Sequence, residues 1–203
     1  PNVLKQVRTV NQSLKFENGS ILEGNIEKSW NANLILDKGS KMFVNNKIEA
    51  NMDIKGDLFV GTRNSYEKEE GKRTIQTLSA ISASSPSDKY YTVHYNKDSN
   101  GNKTKVNLDN ANIHLRINGA QSENNDKMVF SKDTEIRGEG EITLHPQNVS
   151  KVKRNMSFTL LEEEGKDVGG NKVYDLEKLP LTLGKVEFGA LKFGRKDKKL
   201  NGR

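Results

Sequence analysis

"ENGSILEGNI" from Glu17 to Ile26, "DKGSKMFVNNKI" from Asp37 to Ile48 and "IKGDLFVGT" from Ile54 to Thr62 share one plan. In each, a glycine and a small polar residue open a run that alternates apolar with polar side chains, the pattern of a strand with one buried face. Leu14, Leu34 and Ile54 recur at steps of 20 and 20. A period of about 20 residues with strands and no helical pattern predicts stacked repeats, because each repeat buries its apolar face only against its neighbours. Leucine-rich repeats share the period, but their Leu-rich consensus with a fixed Asn is missing. Three unrelated hairpins of an all-β sandwich are the alternative, and the regular step favours the stack. Gly19, Gly39 and Gly56 are expected at the corners between strands, where a positive φ suits glycine.

The rhythm breaks between Arg63 and Lys105. "NSYEKEEGKR", "SASSPSDK" and "NKDSNGNKTK" are rich in turn formers and charge. Between them "YYTVHY" alternates through Tyr91, Val93 and Tyr95, while "TIQTLSAI" fits a strand or a helical turn. Residues 63–105 are therefore read as an inserted hairpin with a long loop, flanked by repeats at 1–62 and a C-terminal β region at 106–203. There the alternation returns in Ile113, Leu115 and Ile117, in Met128 and Phe130, in Ile142 and Leu144, and in Met156, Phe158 and Leu160. Val186 and Phe188 share one phase and Leu191 and Phe193 the other, so a β-bulge is expected at Gly189-Ala190. Pro146 and Pro180 suit bends or edge positions.

Apolar residues make up 33% of the chain, charged residues 30%, and the mean hydropathy is −0.80. With this ordered alternation, those values describe a thin core under a large wetted surface rather than a disordered chain. No apolar run approaches the roughly 20 residues of a membrane helix. Cysteine is absent, which suits a protein that crosses an oxidising compartment unfolded. The opening residue is Pro1, so a piece of a longer polypeptide is expected. Lys185, Lys192, Arg195, Lys196, Lys198, Lys199 and Arg203 face only Glu187 and Asp197 in the last nineteen positions, a net +5 of the chain's +6. The basicity is local, and it speaks of what that end touches.

The series "NIHLRINGAQSENNDKMVF", "IRGEGEITL", "MSFTLLEEE" and "VEFGALKF" resembles the C-terminal end of the passengers of monomeric type V autotransporters, the pertactin-like group. The matching positions are Asp126 with Met128 and Phe130, Gly138 and Gly140 leading into Ile142 and Leu144, Phe158 with Leu160, and Gly189 with Leu191 and Phe193. Family members often close this region with a Trp-containing strand. Here the end is "GRKDKKLNGR" from Gly194, and the single Trp is Trp30. The resemblance implies a right-handed parallel β-helix, a solenoid, with a C-terminal β cap. It implies no cofactor, and an autochaperone core of Met128, Phe130, Ile142, Leu144, Phe158, Leu160, Phe188, Leu191 and Phe193, with Gly138, Gly140 and Gly189 at structural turns. It also implies a bacterial surface or secreted location and a membrane β-barrel following in the same polypeptide.

Little visible chemistry competes with this reading. His94, His114 and His145 stand in strand-like contexts with no partner at metal-ligand spacing, and are expected as ordinary strand histidines. No Gly-x-Ser-x-Gly signature is present, Glu162–Glu164 is expected to solvate a turn, and "DSNGNK" lacks the Gly and Glu placement of a calcium loop. No enzyme is expected. The candidate binding residues are Arg195, Lys196, Lys198 and Lys199, with Lys151, Lys153 and Arg154 beside them if the strands stack them on one side. Two basic pairs around one acid suit a sulfated glycan. A charged linker is the plainer alternative for that segment. Nucleic acid is not expected, because aromatics are only 6% and lie in strand cores rather than among the cations. The chain is thus expected to be a monomeric adhesin or host-receptor ligand, or else the inert stalk of an autotransporter serine protease with an upstream catalytic head.

Overall fold

The structure, a computed structural model, describes residues 3–4, 7–8, 13–67, 89–151, 156–164, 171–175, 191–194 and 200–201. Its strands come in successive passes. The first holds β1 (Val3–Leu4), β2 (Val7–Arg8) and β3 (Ser13–Phe16); the second, β4 (Ile21–Glu23) and the long β5 (Ile26–Leu36); the third, β6 (Lys41–Val44) and β7 (Lys47–Ile54). The fourth holds β8 (Asp57–Val60), a single helical turn α1 (Arg63–Tyr66), β9 (Thr92–Tyr95) and β10 (Thr104–Asn107). The fifth holds β11 (Asn112–Asn118), β12 (Lys127–Phe130) and β13 (Thr134–Arg137), and the sixth β14 (Glu139–Gln147) and β15 (Ser157–Glu163). Then follow β16 (Asn171–Asp175), β17 (Leu191–Gly194) and β18 (Leu200–Asn201).

The molecule is all-β with parallel sheets. One sheet runs β1-β4-β6-β8-β11-β14 in parallel, so each pass adds one strand to it. β17 and β18 extend that sheet to eight strands, and the other ten strands form a second sheet, in which the two halves of β7 pair separately with β9 and β10. Register, rather than sequence spacing, decides what stacks. Leu22, Met42, Leu58, Ile113 and Ile142 lie side by side on the inner face of the first sheet, every one at most 2% exposed. Leu14, Leu34, Met52, Val106 and Ile136 make the matching ladder in the second. Side chains of one phase share a face of a strand, so a single alternating pattern builds a continuous apolar interior.

Three expectations change in detail. Leu34 stands over Leu14 as the 20-residue step requires, but its next neighbour is Met52; Ile54 stands over Leu36, which stands over Phe16. The step changes because β5 shifts register twice against β7 between Ile26 and Asn33, where it carries four more residues than β7 does. Asn51 holds that excess in place, its Nδ2 donating to the carbonyls of Trp30 and Ala32.

The corner glycines also divide. Gly39 has φ +84 as expected, whereas Gly56 has no positive φ. A Cβ there would meet the Asp37 carbonyl oxygen at 2.5 Å and that of Ser40 at 2.6 Å, so glycine is needed for close backbone approach instead. Third, Thr92–Tyr95, assigned to the insertion, lies within the second sheet between β7 and β12. Its apolar phase explains this: Val93 and Tyr95 are fully buried, and the Tyr95 hydroxyl donates to the Ala50 carbonyl at 2.6 Å.

The pairing changes sense after the sixth pass. β16 runs antiparallel to β15, β17 antiparallel to β14, and β18 antiparallel to β17. Leu191 pairs in register with Ile142. Pro146 sits in β14 beyond the part that β17 covers, an edge position where a missing N–H costs nothing.

Candidate functional site

The outer face of the first sheet carries a polar network that is as well covered as the core. Alternation in β11 sends Ile113, Leu115 and Ile117 inward and His114 and Arg116 outward, yet His114 is 8% exposed and Arg116 only 1%. α1 and residues 89–91, the two flanks of residues 68–88, meet on this face. A capping box between Thr62 and Ser65 starts the turn, and Tyr66 then reaches the sheet.

Asp126, fully buried, is the hub. Its Oδ2 accepts from Arg116 Nε at 2.8 Å, the Arg116 backbone N–H at 2.9 Å and the Tyr66 hydroxyl at 3.1 Å. Its Oδ1 accepts from Arg116 Nη2 at 3.0 Å and the Tyr91 N–H at 2.8 Å. Arg116 Nη2 also donates to the Lys89 carbonyl at 2.7 Å, and the guanidinium lies 4.9 Å from the Tyr90 ring centroid. Burial pushes the Asp126 carboxyl up, and the Arg116 guanidinium and the two backbone donors work against that shift. The Tyr66 phenol is held well above its ordinary range, by burial first and then by the Asp126 charge. It therefore stays protonated, with the carbonyls of Val60 and His114 and the Asp126 carboxylate all within reach of its one proton. This arrangement ties the chain on either side of residues 68–88 to one point on the sheet.

Next to it runs a second chain of contacts, Asp57–His114–His145. His114 Nε2 lies 2.8 Å from Asp57 Oδ1, and His114 Nδ1 lies 2.7 Å from His145 Nε2. The His114 ring stacks on Phe59 at 3.9 Å, and the Tyr66 ring meets His145 edge-on at 5.0 Å. Burial lowers His145 to about 4, with the charges of His114 and Arg116 adding to the effect, so it is neutral at pH 7. The two rings can pass a proton between them and lean it on Asp57. Among the described residues no Ser or Thr side chain bonds to either ring.

The histidines expected to stand apart are thus split: His114 and His145 meet, while His94 lies in β9 of the other sheet, its Nδ1 buried without a partner. Residues 31 apart gave no spacing signal. Only the β11–β14 register, which sets Arg116 beside His145, brings them together. Arg116 did leave a trace, as a charge in the outward phase of an apolar strand, but nothing in the sequence announced what would cover it.

The expected site residues fare unevenly. Met128, Phe130, Ile142, Leu144, Phe158 and Leu160 are all buried, at most 4% exposed. Leu191 and Phe193 lie in β17 beside Ile142 and Gly140, and Gly138 has φ +86. Lys151 is exposed at the end of a short 3-10 turn, Val149–Lys151. Lys153, Arg154, Phe188, Gly189, Arg195, Lys196, Lys198 and Lys199 lie outside the described residues, as do Pro180 and the bulge expected at Gly189-Ala190. A half-open groove at the stacked corners is lined by Lys38, Lys55, Asn110, Asn112 and Glu141 over a floor of Ala111 and Gly140. None of its polar side chains is buried.

Among the described residues no three His, Asp or Glu side chains are placed to share a metal ion, and no helix is long and apolar enough to cross a membrane. Comparison with known protein families, with curated proteins and with solved structures returns no match for this chain.

Proposed function

We propose that this chain is a right-handed parallel β-helix from the passenger of a bacterial autotransporter, displayed at the cell surface or secreted, and that it acts as an adhesin or host-receptor ligand. The observation that carries the reading is the change of pairing at the C-terminal end. Six passes pair in parallel, then β16, β17 and β18 turn antiparallel across the last parallel strands. A stack of parallel passes leaves unpaired N–H and C=O groups at each end, and antiparallel strands folding back cover one of them. Such a closed end is suited to fold first and to template the passes before it, the role the autotransporter resemblance assigns to residues 111–203. The clamp at Arg116 and Asp126 also suits presentation, since it fixes Tyr66 and residues 89–91 to one point on the first sheet. The partner is a host surface protein or sulfated glycan, engaged by the basic end around Arg195, Lys196, Lys198 and Lys199.

The test is binding of the purified chain to mammalian cells with and without heparinase, beside a variant with those four residues changed to Ser. Heparinase-sensitive binding that the variant loses supports a glycan-engaging adhesin. Absence of binding by the unmodified chain removes that function and leaves an inert stalk, with the working part elsewhere in the polypeptide. The folding role has its own readout: equal refolding rates with and without residues 111–203 would sink it.

A further inference from the structure

We infer that His114, His145 and Asp57 form an acid-sensitive latch that releases the α1 turn from the outer face of the first sheet. The argument is geometric. Two ring nitrogens 2.7 Å apart need one proton and one lone pair between them. With both rings neutral, His145 Nε2–H donates to His114 Nδ1 and His114 Nε2–H donates to Asp57. One proton more along the row fits the geometry, because both nitrogens of the His114 ring can then donate, one to His145 Nε2 and one to Asp57 Oδ1 at 2.8 Å. A second proton does not fit. It removes the lone pair on His145 Nε2 and sets two cations at hydrogen-bond distance.

Among the described residues nothing nearby offsets that second charge. From β11, Arg116 adds a further cation, already paired with Asp126. From α1, Tyr66 offers a neutral phenol, while Arg63 and Glu67 pair with Glu23 and Lys41 at the turn's far side. From β8 the only charge is Asp57, already taken by His114. From residues 89–91, Tyr90 donates to Gln147 rather than to either ring. The depression of His145 to about 4 agrees with this accounting, burial being its largest cause. When His145 swings away, Tyr66 loses the ring it rests against edge-on, and Phe59 loses its tilted neighbour at 6.3 Å. Tyr66 then keeps Phe59 at 4.9 Å and its one shared hydroxyl proton, with its contact on the β14 side gone.

The experiment is hydrogen exchange on the full chain between about pH 7 and about pH 4, corrected for the intrinsic rate change. Protection at 63–67 and 89–91 is expected to fall about tenfold or more over that window, while 104–107 and 134–137, which lie on the other sheet, keep theirs. His145→Gln retains an N–H for His114 Nδ1 but takes up no proton, so its exchange should not step with pH. An unmodified chain without the step, or a His145→Gln chain with the same step, overturns the latch. Should that variant fail to fold, the ring nitrogen shifts of the unmodified chain decide. Two separate protonation steps, the second coinciding with loss of the Tyr66–His145 contact, support the latch; two independent titrations in the ordinary histidine range overturn it.

Discussion

β11 and β13 are strands of similar pattern with opposite surroundings. "NIHLRIN" and "TEIR" both alternate, both pair in parallel, and both send their apolar phase inward. On β13 the outward Glu135 and Arg137 stay in water and pair at 2.9 Å, with side chains 47% and 59% exposed. On β11 the outward Arg116 is shut in beneath Tyr66, Tyr90 and Tyr91. The same residue type in the same phase thus has two energetic roles. A solvated pair contributes about 0–1 kcal/mol because water already satisfies both charges. A buried charge must have each lost water replaced, and Asp126 does so by accepting five hydrogen bonds.

The largest expected effect follows from that contrast. Arg116→Ala leaves Asp126 buried without its counter-charge and should lower stability by about 3–5 kcal/mol in urea unfolding. A loss no larger than that of Arg137→Ala would break the comparison between the two strands. The double variant Arg116→Leu with Asp126→Leu sharpens it: with both charges gone, less stability should be lost than in Arg116→Ala alone.

The next effect is set by pH. His145 binds its proton near 4 in the folded chain but near 6.5 when unfolded. The unfolded state therefore binds more protons across that window. Stability is full above about pH 6.5 and falls as pH drops toward 4, by about 1–3 kcal/mol after allowing for the partly exposed ring. His145→Gln should flatten that part of the stability–pH curve.

Of similar size is Gly56→Ala, expected to cost about 1–3 kcal/mol because its Cβ would crowd the Asp37 and Ser40 carbonyls. A neutral result would mean that the corner yields, and that close approach is not why glycine stands there. Arg137→Ala closes the series, within about 0.5 kcal/mol of the parent.

Much of the fold was legible because alternation is a local property. Ile113, Leu115 and Ile117 read as one face from their spacing alone, and they form one face. The repeat was legible in period but not in register: Leu34 found Met52 rather than Ile54, because four extra residues in β5 are taken up at a corner that no pattern announces. Gly39 was readable as a turn glycine, whereas the need for Gly56 arises from carbonyls 16 and 19 positions away. Of the network on the first sheet, the phase of His114 and Arg116 was visible and their burial was not.

The sequence by itself determined that the described chain is mostly β, which side chains point inward, and that the net charge collects near one end. These are properties of a residue and its near neighbours, and the alternation of Cβ directions carries them. Only the tertiary structure decided that the strands pair in parallel until β15 and antiparallel beyond it, that Thr92–Tyr95 joins the second sheet, and that His114 meets His145 while Arg116 meets Asp126 under Tyr66. The physical reason is that solvation belongs to the assembled surface. Whether an outward charge rests in water or must be answered by hydrogen bonds depends on what folds over it, and that covering comes from distant parts of the chain.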